Sequence, residues 1–403
     1  MAGPLEGVRV IEVTSVVLGP LAAQFLGDMG ADVVKVEPPA GDTTRQVGDG
    51  RHPGMTSYFM SLNRNKRSVV LDLKQPEGLR ALLTLCEGAD VLLHNLRPAA
   101  AARLGLGYDD VAARKPDIVY CATYGYRADG PYADYPAYDD IIQAASGIPM
   151  LQRMAGGEPQ YAPTIMADKT TALTVVYSVC AALFHRMRTG RGQAIEVPMF
   201  ETMVSFLMAE HLCGQAFEPP LGPAGYSRVL SRFRRPYQTS DGYLAVLPHT
   251  DAHWRSFLAA AGRLDLLEQE RFSTVALRTR HIDALYEELD GIMATRSTAE
   301  WLELLDPAVL PVTPLNGPDD LIGNPQLEAT GFWKTQAHPS EGNIRMTDFP
   351  VGFAGSPVPE ARPAPRLGEH SLEVLREAGF GEAELERLLA SGATRAATPP
   401  GDG

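Results

Sequence analysis

Near-continuous apolar runs separated by helical stretches fill the first third of the chain, and this alternation constrains the fold more than any other feature. Runs at 8–13, 32–37, 68–73, 90–93 and 118–122 read as strands. The stretches 18–29, 76–86 and 108–113 read as helices, the first of them stopped by Gly30. Strands that are apolar along their whole length, with helices between them, belong to a parallel sheet covered on both faces. Crossovers in such a sheet are right-handed, and ligands gather beyond the carboxyl ends of the strands. A long helix at 170–187, ended by Thr189-Gly190-Arg191-Gly192, leads to a strand at 194–197 and a helix from Phe200.

The fold class expected is therefore α/β: a Rossmann-like parallel-sheet large domain plus a smaller α+β domain. The large domain takes 1–216 and is completed by 326–395. A Pro-rich linker occupies 217–224, the small domain 225–325, and a flexible tail 396–403. A strand at 243–246 and helices between 255 and 305 supply the small domain, and a last helix is expected at 371–378.

With 36 basic and 49 acidic residues, the formal charge of −13 argues against nucleic acid or an anionic membrane as partner. Neither a signal peptide nor a bilayer-spanning apolar stretch is visible. Cys86, Cys121, Cys180 and Cys213 are far apart in apolar surroundings. They read as core residues of a cytoplasmic protein rather than a disulfide or zinc framework.

Among candidate functional residues Asp168 stands out. It follows the apolar run 162–167 and precedes a helical pattern, so the sequence places it at a helix start. There the positive end of the helix dipole keeps a carboxylate ionised. One reading makes it the N-cap of that helix. The other makes it a carboxylate nucleophile toward an acyl group.

Other features resolve less sharply. The βαβ start lacks G-x-G-x-x-G, which removes the usual approach to a dinucleotide pyrophosphate. No P-loop and no G-x-S-x-G elbow occurs. His249 and His253 have metal-ligand spacing but lack the glutamate of H-E-x-x-H and read as surface histidines. Arg228, Arg232, Arg234 and Arg235 form either a solvated edge or a clamp for a phosphate or carboxylate.

A series of short motifs runs along the chain in a fixed order. It opens with Pro4-Leu5-Glu6-Gly7-Val8-Arg9-Val10-Ile11, Gly19-Pro20 and Gly30-Ala31-Asp32-Val33-Val34-Lys35-Val36-Glu37. Gly41-Asp42, Asn63-Arg64-Asn65-Lys66-Arg67-Ser68, Asn95-Leu96-Arg97-Pro98 and Gly105-Leu106-Gly107-Tyr108 follow. Gly130-Pro131, Tyr138-Asp139, Gly190-Arg191-Gly192-Gln193 and Leu367-Gly368-Glu369-His370 complete it. In this order they resemble the class III CoA-transferases, the family of formyl-CoA transferase, carnitine CoA-transferase and α-methylacyl-CoA racemase.

The resemblance implies that Asp168 is the nucleophile. CoA would move from an acyl-CoA donor to a free carboxylic acid through mixed anhydrides and an aspartyl-CoA thioester. No cofactor is held permanently, because CoA and acyl-CoA are substrates. By motif match, Val16, Leu71, Lys74, Asn95, Leu96 and Arg103 contact CoA, and Tyr138 packs against CoA or the acyl intermediate. Lys74 and Arg103 suit phosphates and Asn95 suits an amide, although Lys74 also reads as a surface lysine and Leu71 as strand core. Val17 and Tyr124 fall beside the acyl group.

The alternative within the family is a 2-methylacyl-CoA racemase. It needs a histidine where this chain has Tyr138, and a phenol with a pKa near ~10 is a poor base at neutral pH. The partners implied are an acyl-CoA and a carboxylic acid, with a dicarboxylate favoured if the arginine run faces the site. The family also implies an interlocked homodimer.

Overall fold

The computed structural model describes residues 3–397. Six strands build the central sheet: β1 (Arg9–Val13), β2 (Asp32–Glu37), β3 (Lys66–Val70), β4 (Val91–His94), β5 (Val119–Tyr124) and β6 (Gln193–Pro198). All five pairings are parallel and the order is β3-β2-β1-β4-β5-β6. Strand order reverses between β1 and β4, so a crevice opens beyond their carboxyl ends.

Strand residues alternate between two apolar layers. Ile11, Val13, Val34, Val36, Leu92, Tyr120 and Ala122 join Leu82 and Leu85 of helix Pro76–Glu87 in one core. Val374, Leu375, Leu385 and Leu388 from the C-terminal helices Ser371–Glu377 and Glu382–Ala390 complete that layer. Against β1, β2 and β4 packs helix Leu18–Asp28, which also lies along helix Met166–Thr189.

The chain divides into two compact units. The first takes 1–146, 162–206 and 328–403 and contains the sheet. The C-terminal segment is tied to β3: His370 N–H donates to the Ser68 carbonyl at 2.9 Å, and Gly368 N–H to Ser68 Oγ at 2.9 Å. Of the tail expected from 396, residues 398–403 lie outside the described residues, while Ala397 N–H donates to the Gly368 carbonyl at 3.2 Å. This unit also carries an antiparallel hairpin, β10 (Trp333–His338) with β11 (Gly342–Thr347).

The second unit takes 147–161 and 207–327. It is built on the antiparallel strands β7 (Tyr237–Gln238), β8 (Tyr243–Val246) and β9 (Val312–Pro314) and a helical core around Trp254, Phe257, Tyr286 and Trp301. The Glu218-Pro219 peptide bond is cis. Among the described residues no helix is long and apolar enough to cross a membrane.

Two of the boundaries that differ from expectation do so for clear physical reasons. Strand β3 begins at Lys66 rather than Ser68, because partners far away in sequence neutralise its first two charges. Lys66 Nζ lies 2.9 Å from Glu12 Oε2, and Arg67 Nη2 lies 2.7 Å from Asp32 Oδ2. Helix Met166–Thr189 begins four residues earlier than its apolar pattern and so takes in Asp168.

Candidate active site

Asp168 occupies the third position of helix Met166–Thr189, and Ile165, which offers no capping side chain, is the N-cap. The N-cap reading of Asp168 is therefore replaced by a different arrangement. Asp139, the first residue of helix Asp139–Ser146, accepts through Oδ1 from the N–H of Ala167 at 2.7 Å and of Asp168 at 3.1 Å. A carboxylate from another element thus satisfies two of the four open N–H groups of the helix.

This arrangement also works against the ionisation expected of a carboxylate at a helix start. Burial, and after it the Asp139 carboxylate, push the Asp168 carboxyl up to about 7. The nearest helix N–H groups, which would have favoured the anion, are engaged by Asp139 instead. Among the described residues none donates a hydrogen bond to the Asp168 carboxylate. Its lone pairs stay open to a reaction partner.

Thr171, Ala172 and Val175 share the Asp168 face of the helix and are buried. Thr170, Leu173, Thr174 and Tyr177 lie on the opposite face and line a groove of about 670 Å³ with Glu196, Glu201 and Phe206. Asp168 is not among the residues that line that groove.

The turn after β1 is the second part of the site. Val16 sits at φ 73°, a left-handed conformation that a β-branched residue rarely adopts. The turn is held from four sides. Asn95 Oδ1 accepts from Ser15 N–H at 3.2 Å and Asn95 Nδ2 donates to the Ser15 carbonyl at 3.0 Å. Asp42 Oδ1 accepts from Val16 N–H at 3.3 Å, and Lys35 Nζ donates to the Thr14 carbonyl at 3.1 Å. Strain persists where surrounding contacts over-determine it, and such places cluster at ligand sites.

Of the residues expected at CoA, the structure brings Val16, Asn95 and Leu96 together where the strand order reverses. Leu71 follows β3 and is wholly buried, and Leu96 packs against the same apolar layer. Lys74, before helix Pro76–Glu87, and Arg103, at the end of helix Pro98–Arg103, are both exposed. From β3 to β4 the sheet spans three inter-strand spacings, roughly 14–15 Å. Tyr138 is 68% exposed and directly precedes Asp139. Val17 is buried, and the Tyr124 hydroxyl donates to Glu196 Oε1 at 2.7 Å.

Tyr58 was not foreseen from the sequence. Burial raises its hydroxyl above the ordinary value, and Asp168, Asp139 and Asp42 add to this in that order. It therefore lies in the field of both the Asp168 turn and the Val16 turn. Nothing in Ser57-Tyr58-Phe59 marks it out before the chain folds. His249 Nδ1, in the second unit, is engaged by Arg228 Nη2 at 3.0 Å, and Arg235 Nη2 pairs with Asp290 at 3.0 Å. Among the described residues there is no cluster of three or more side chains able to hold a metal.

A family model described as CoA-transferase family III matches residues 5–371. Succinyl-CoA:glutarate CoA-transferase of Mus musculus is 34% identical over 397 residues, covering 96% of this chain and 90% of that protein. Acetyl-CoA:oxalate CoA-transferase of Acetobacter aceti is 33% identical over 387 residues, covering 95% of this chain and 97% of that protein. The crystal structure of a CAIB/BAIF family protein from Brucella suis superposes with a TM-score of 0.78 at 29% identity, over 94% of this chain and 100% of that one.

Proposed function

The chain belongs to CoA-transferase family III and is an enzyme that transfers CoA; from that premise we propose that Asp168 is its nucleophile and carries CoA as an aspartyl thioester. The Asp168 carboxylate attacks the thioester carbonyl of the donor, the C–S bond breaks and CoA leaves as thiolate. The resulting mixed anhydride is attacked by that thiolate at the aspartyl carbonyl, which releases the donor acid. The acceptor carboxylate then attacks the aspartyl thioester, again freeing thiolate. A last attack by thiolate on the acceptor's acyl carbon makes the new acyl-CoA and restores Asp168. Bond energy passes between thioester and anhydride throughout, so the cycle needs no metal or redox cofactor.

The observation that carries this reading is the placement of Asp168 in the first turn of a helix, its main chain held and its carboxylate unbonded. CoA lies along the carboxyl ends of β1, β3 and β4. Val16, Leu71 and Leu96 offer packing, and Lys74 and Arg103 suit the phosphates. Tyr138 stands over the acyl end. Because both groups of the Asn95 amide are engaged with Ser15, its part in binding is to shape the Val16 turn. The acid pair includes a dicarboxylate, in keeping with the succinate, glutarate and mesaconate named for relatives.

The working form is a homodimer, interlocked as in the family, and the protein acts in the cytoplasm. Leu173, Tyr177, Phe184 and Met187 supply an exposed apolar stripe on one helix, which fits burial by a second copy. Four free cysteines suit a reducing compartment.

Mass spectrometry of the protein incubated with succinyl-CoA tests the chemistry. The expected result is CoA mass on the Asp168 peptide, and loss of exchange in Asp168→Ala. Full exchange activity in that variant would sink the reading.

A further inference from the structure

Asp139 is a costly choice for a helix cap. A serine or asparagine would satisfy the same N–H groups without placing a second negative charge beside Asp168. Its surroundings are built with care. Asp139 Oδ2 accepts from Gln143 Nε2 at 2.6 Å, one helical turn along Asp139–Ser146. Gln143 is fully buried, and its Oε1 accepts from Ala162 N–H at 2.9 Å while Nε2 also donates to the Thr164 carbonyl at 3.3 Å. The two side chains therefore grip both ends of the segment 162–168, which enters a helix that lacks a capping side chain of its own.

We infer that Asp139, seated by Gln143, is a positioning residue for the transfer, holding the Asp168 main chain so that the carboxylate meets each acyl carbon in one orientation. The inference rests on Asp168 being the nucleophile. Its strength lies in the geometry: Asp139 touches the N–H of the reacting residue itself, and Gln143 leaves it no second place to go. The charge of Asp139 has a separate effect, since it disfavours a neighbouring anion and so keeps the nucleophile more basic than an exposed carboxylate. The charged group that bears on the ionisation of Asp168 is Asp139; Tyr58 of helix Ser57–Leu62 lies within the field of both, and the neighbouring Lys169 turns its Nζ to Thr164 Oγ1 at 2.8 Å.

Three variants of the full chain separate positioning from mere support. Asp139→Ala removes cap and charge, and kcat should fall about 100-fold, the cost of a misplaced reacting group, with KM for acyl-CoA little changed. Asp139→Asn keeps an acceptor for the two N–H groups but removes the charge, and meets Gln143 donor against donor. It should keep kcat within about tenfold and move the acidic limb of kcat/KM to lower pH. Asp139→Asn combined with Gln143→Glu restores donor against acceptor at position 139, at the cost of the longer bond to the Thr164 carbonyl, and should recover part of the lost kcat.

Wild-type kcat in a folded Asp139→Ala would overturn the inference. If that variant does not fold, Asp139→Asn decides alone through its donor-against-donor contact with Gln143, and wild-type kcat in it overturns the inference. The adduct on the Asp168 peptide keeps the two ideas apart. Its absence in the wild type removes the nucleophile itself, whereas its presence together with an unimpaired Asp139→Ala removes only the positioning role.

Discussion

The Asn95 side chain closes on Ser15 by both of its polar groups, one accepting from the backbone N–H and one donating to the carbonyl. That clamp, with Asp42 on Val16 N–H, holds a β-branched residue at φ 73°. Left-handed backbone costs an L-residue roughly 1–2 kcal/mol, so the turn keeps its shape only while the clamp holds. His94, one residue earlier, braces the other side. Its Nδ1 accepts from Leu96 N–H at 3.2 Å, so Nε2 carries the proton toward the Tyr120 hydroxyl at 2.7 Å, and that hydroxyl donates to the Leu106 carbonyl at 2.7 Å.

Replacement of Asn95 by alanine should therefore relax Val16. The expected outcome is a KM for acyl-CoA raised about tenfold, with a stability loss of about 1 kcal/mol from the partly buried Ser15 groups left without their partner. Steady-state kinetics and urea unfolding read the two effects. Unchanged KM together with unchanged stability would show that the turn holds its shape without the clamp.

A second expectation concerns pH. Burial and then Asp139 push the Asp168 carboxyl up to about 7, above the ordinary aspartate value, and the proposed nucleophile is the anion. Rates with acyl-CoA should fall tenfold per pH unit below that point and level off above it. For stability the sign is the reverse of the usual salt-bridged carboxylate. The folded state binds the proton more tightly, so stability falls as pH rises from about 4 to about 7. Asp168→Asn should accordingly lose exchange yet melt higher than wild type at pH 8, and the gain should vanish at acid pH. A lower melting point at pH 8 would contradict this.

A third expectation concerns the ions beneath the Val16 turn. Lys35 is wholly buried, and its Nζ reaches Glu12 at 3.2 Å and Asp42 at 2.9 Å. Burial works to raise the Glu12 carboxyl, yet Lys35 and Lys66 together hold it below its ordinary value. Lys35→Met removes the shared cation: Glu12 keeps Lys66 at 2.9 Å, but Asp42 loses the cation that neutralises it in a buried place. A loss of about 3–5 kcal/mol is expected, read by denaturant unfolding. Because Asp42 also holds Val16, affinity for acyl-CoA should weaken in the same variant. A stable Lys35→Met with normal KM would separate the ion cluster from the site.

Local pattern carried much of the large unit but not what depends on distant partners. Strand β2 was legible from Asp32 to Glu37, because the β-branched Val33, Val34 and Val36 follow directly on the Gly30-Ala31 turn. Strand β3 was displaced by two residues, since Lys66 and Arg67 resemble a surface until Glu12 and Asp32 arrive beside them. The hairpin at β10 and β11 left no readable apolar period, most of its residues being partly or wholly exposed. Asp168 was visible, but its cap was not. Asp139 lies 29 residues away, and its carboxylate is assigned to Asp168 only by the packing of helix Asp139–Ser146 against helix Met166–Thr189.

The last expectation concerns assembly. Leu173, Tyr177, Phe184 and Met187 fall at helical spacings i, i+4, i+11 and i+14, on the side away from Asp168, and Met187 is 83% exposed. A soluble chain seldom leaves such a stripe in water. If a second copy covers it, Tyr177→Asp with Phe184→Asp removes two large apolar contacts worth about 1.5–3 kcal/mol each and buries charge in their place. The dimer dissociation constant should rise by at least about 100-fold, which light scattering across a dilution series can follow. Catalysis should fall with the dimer if the second copy shapes the site, and should persist in the monomer if it does not. A wild-type protein that stays monomeric at every concentration would remove the dimer from the account and leave the stripe to another partner.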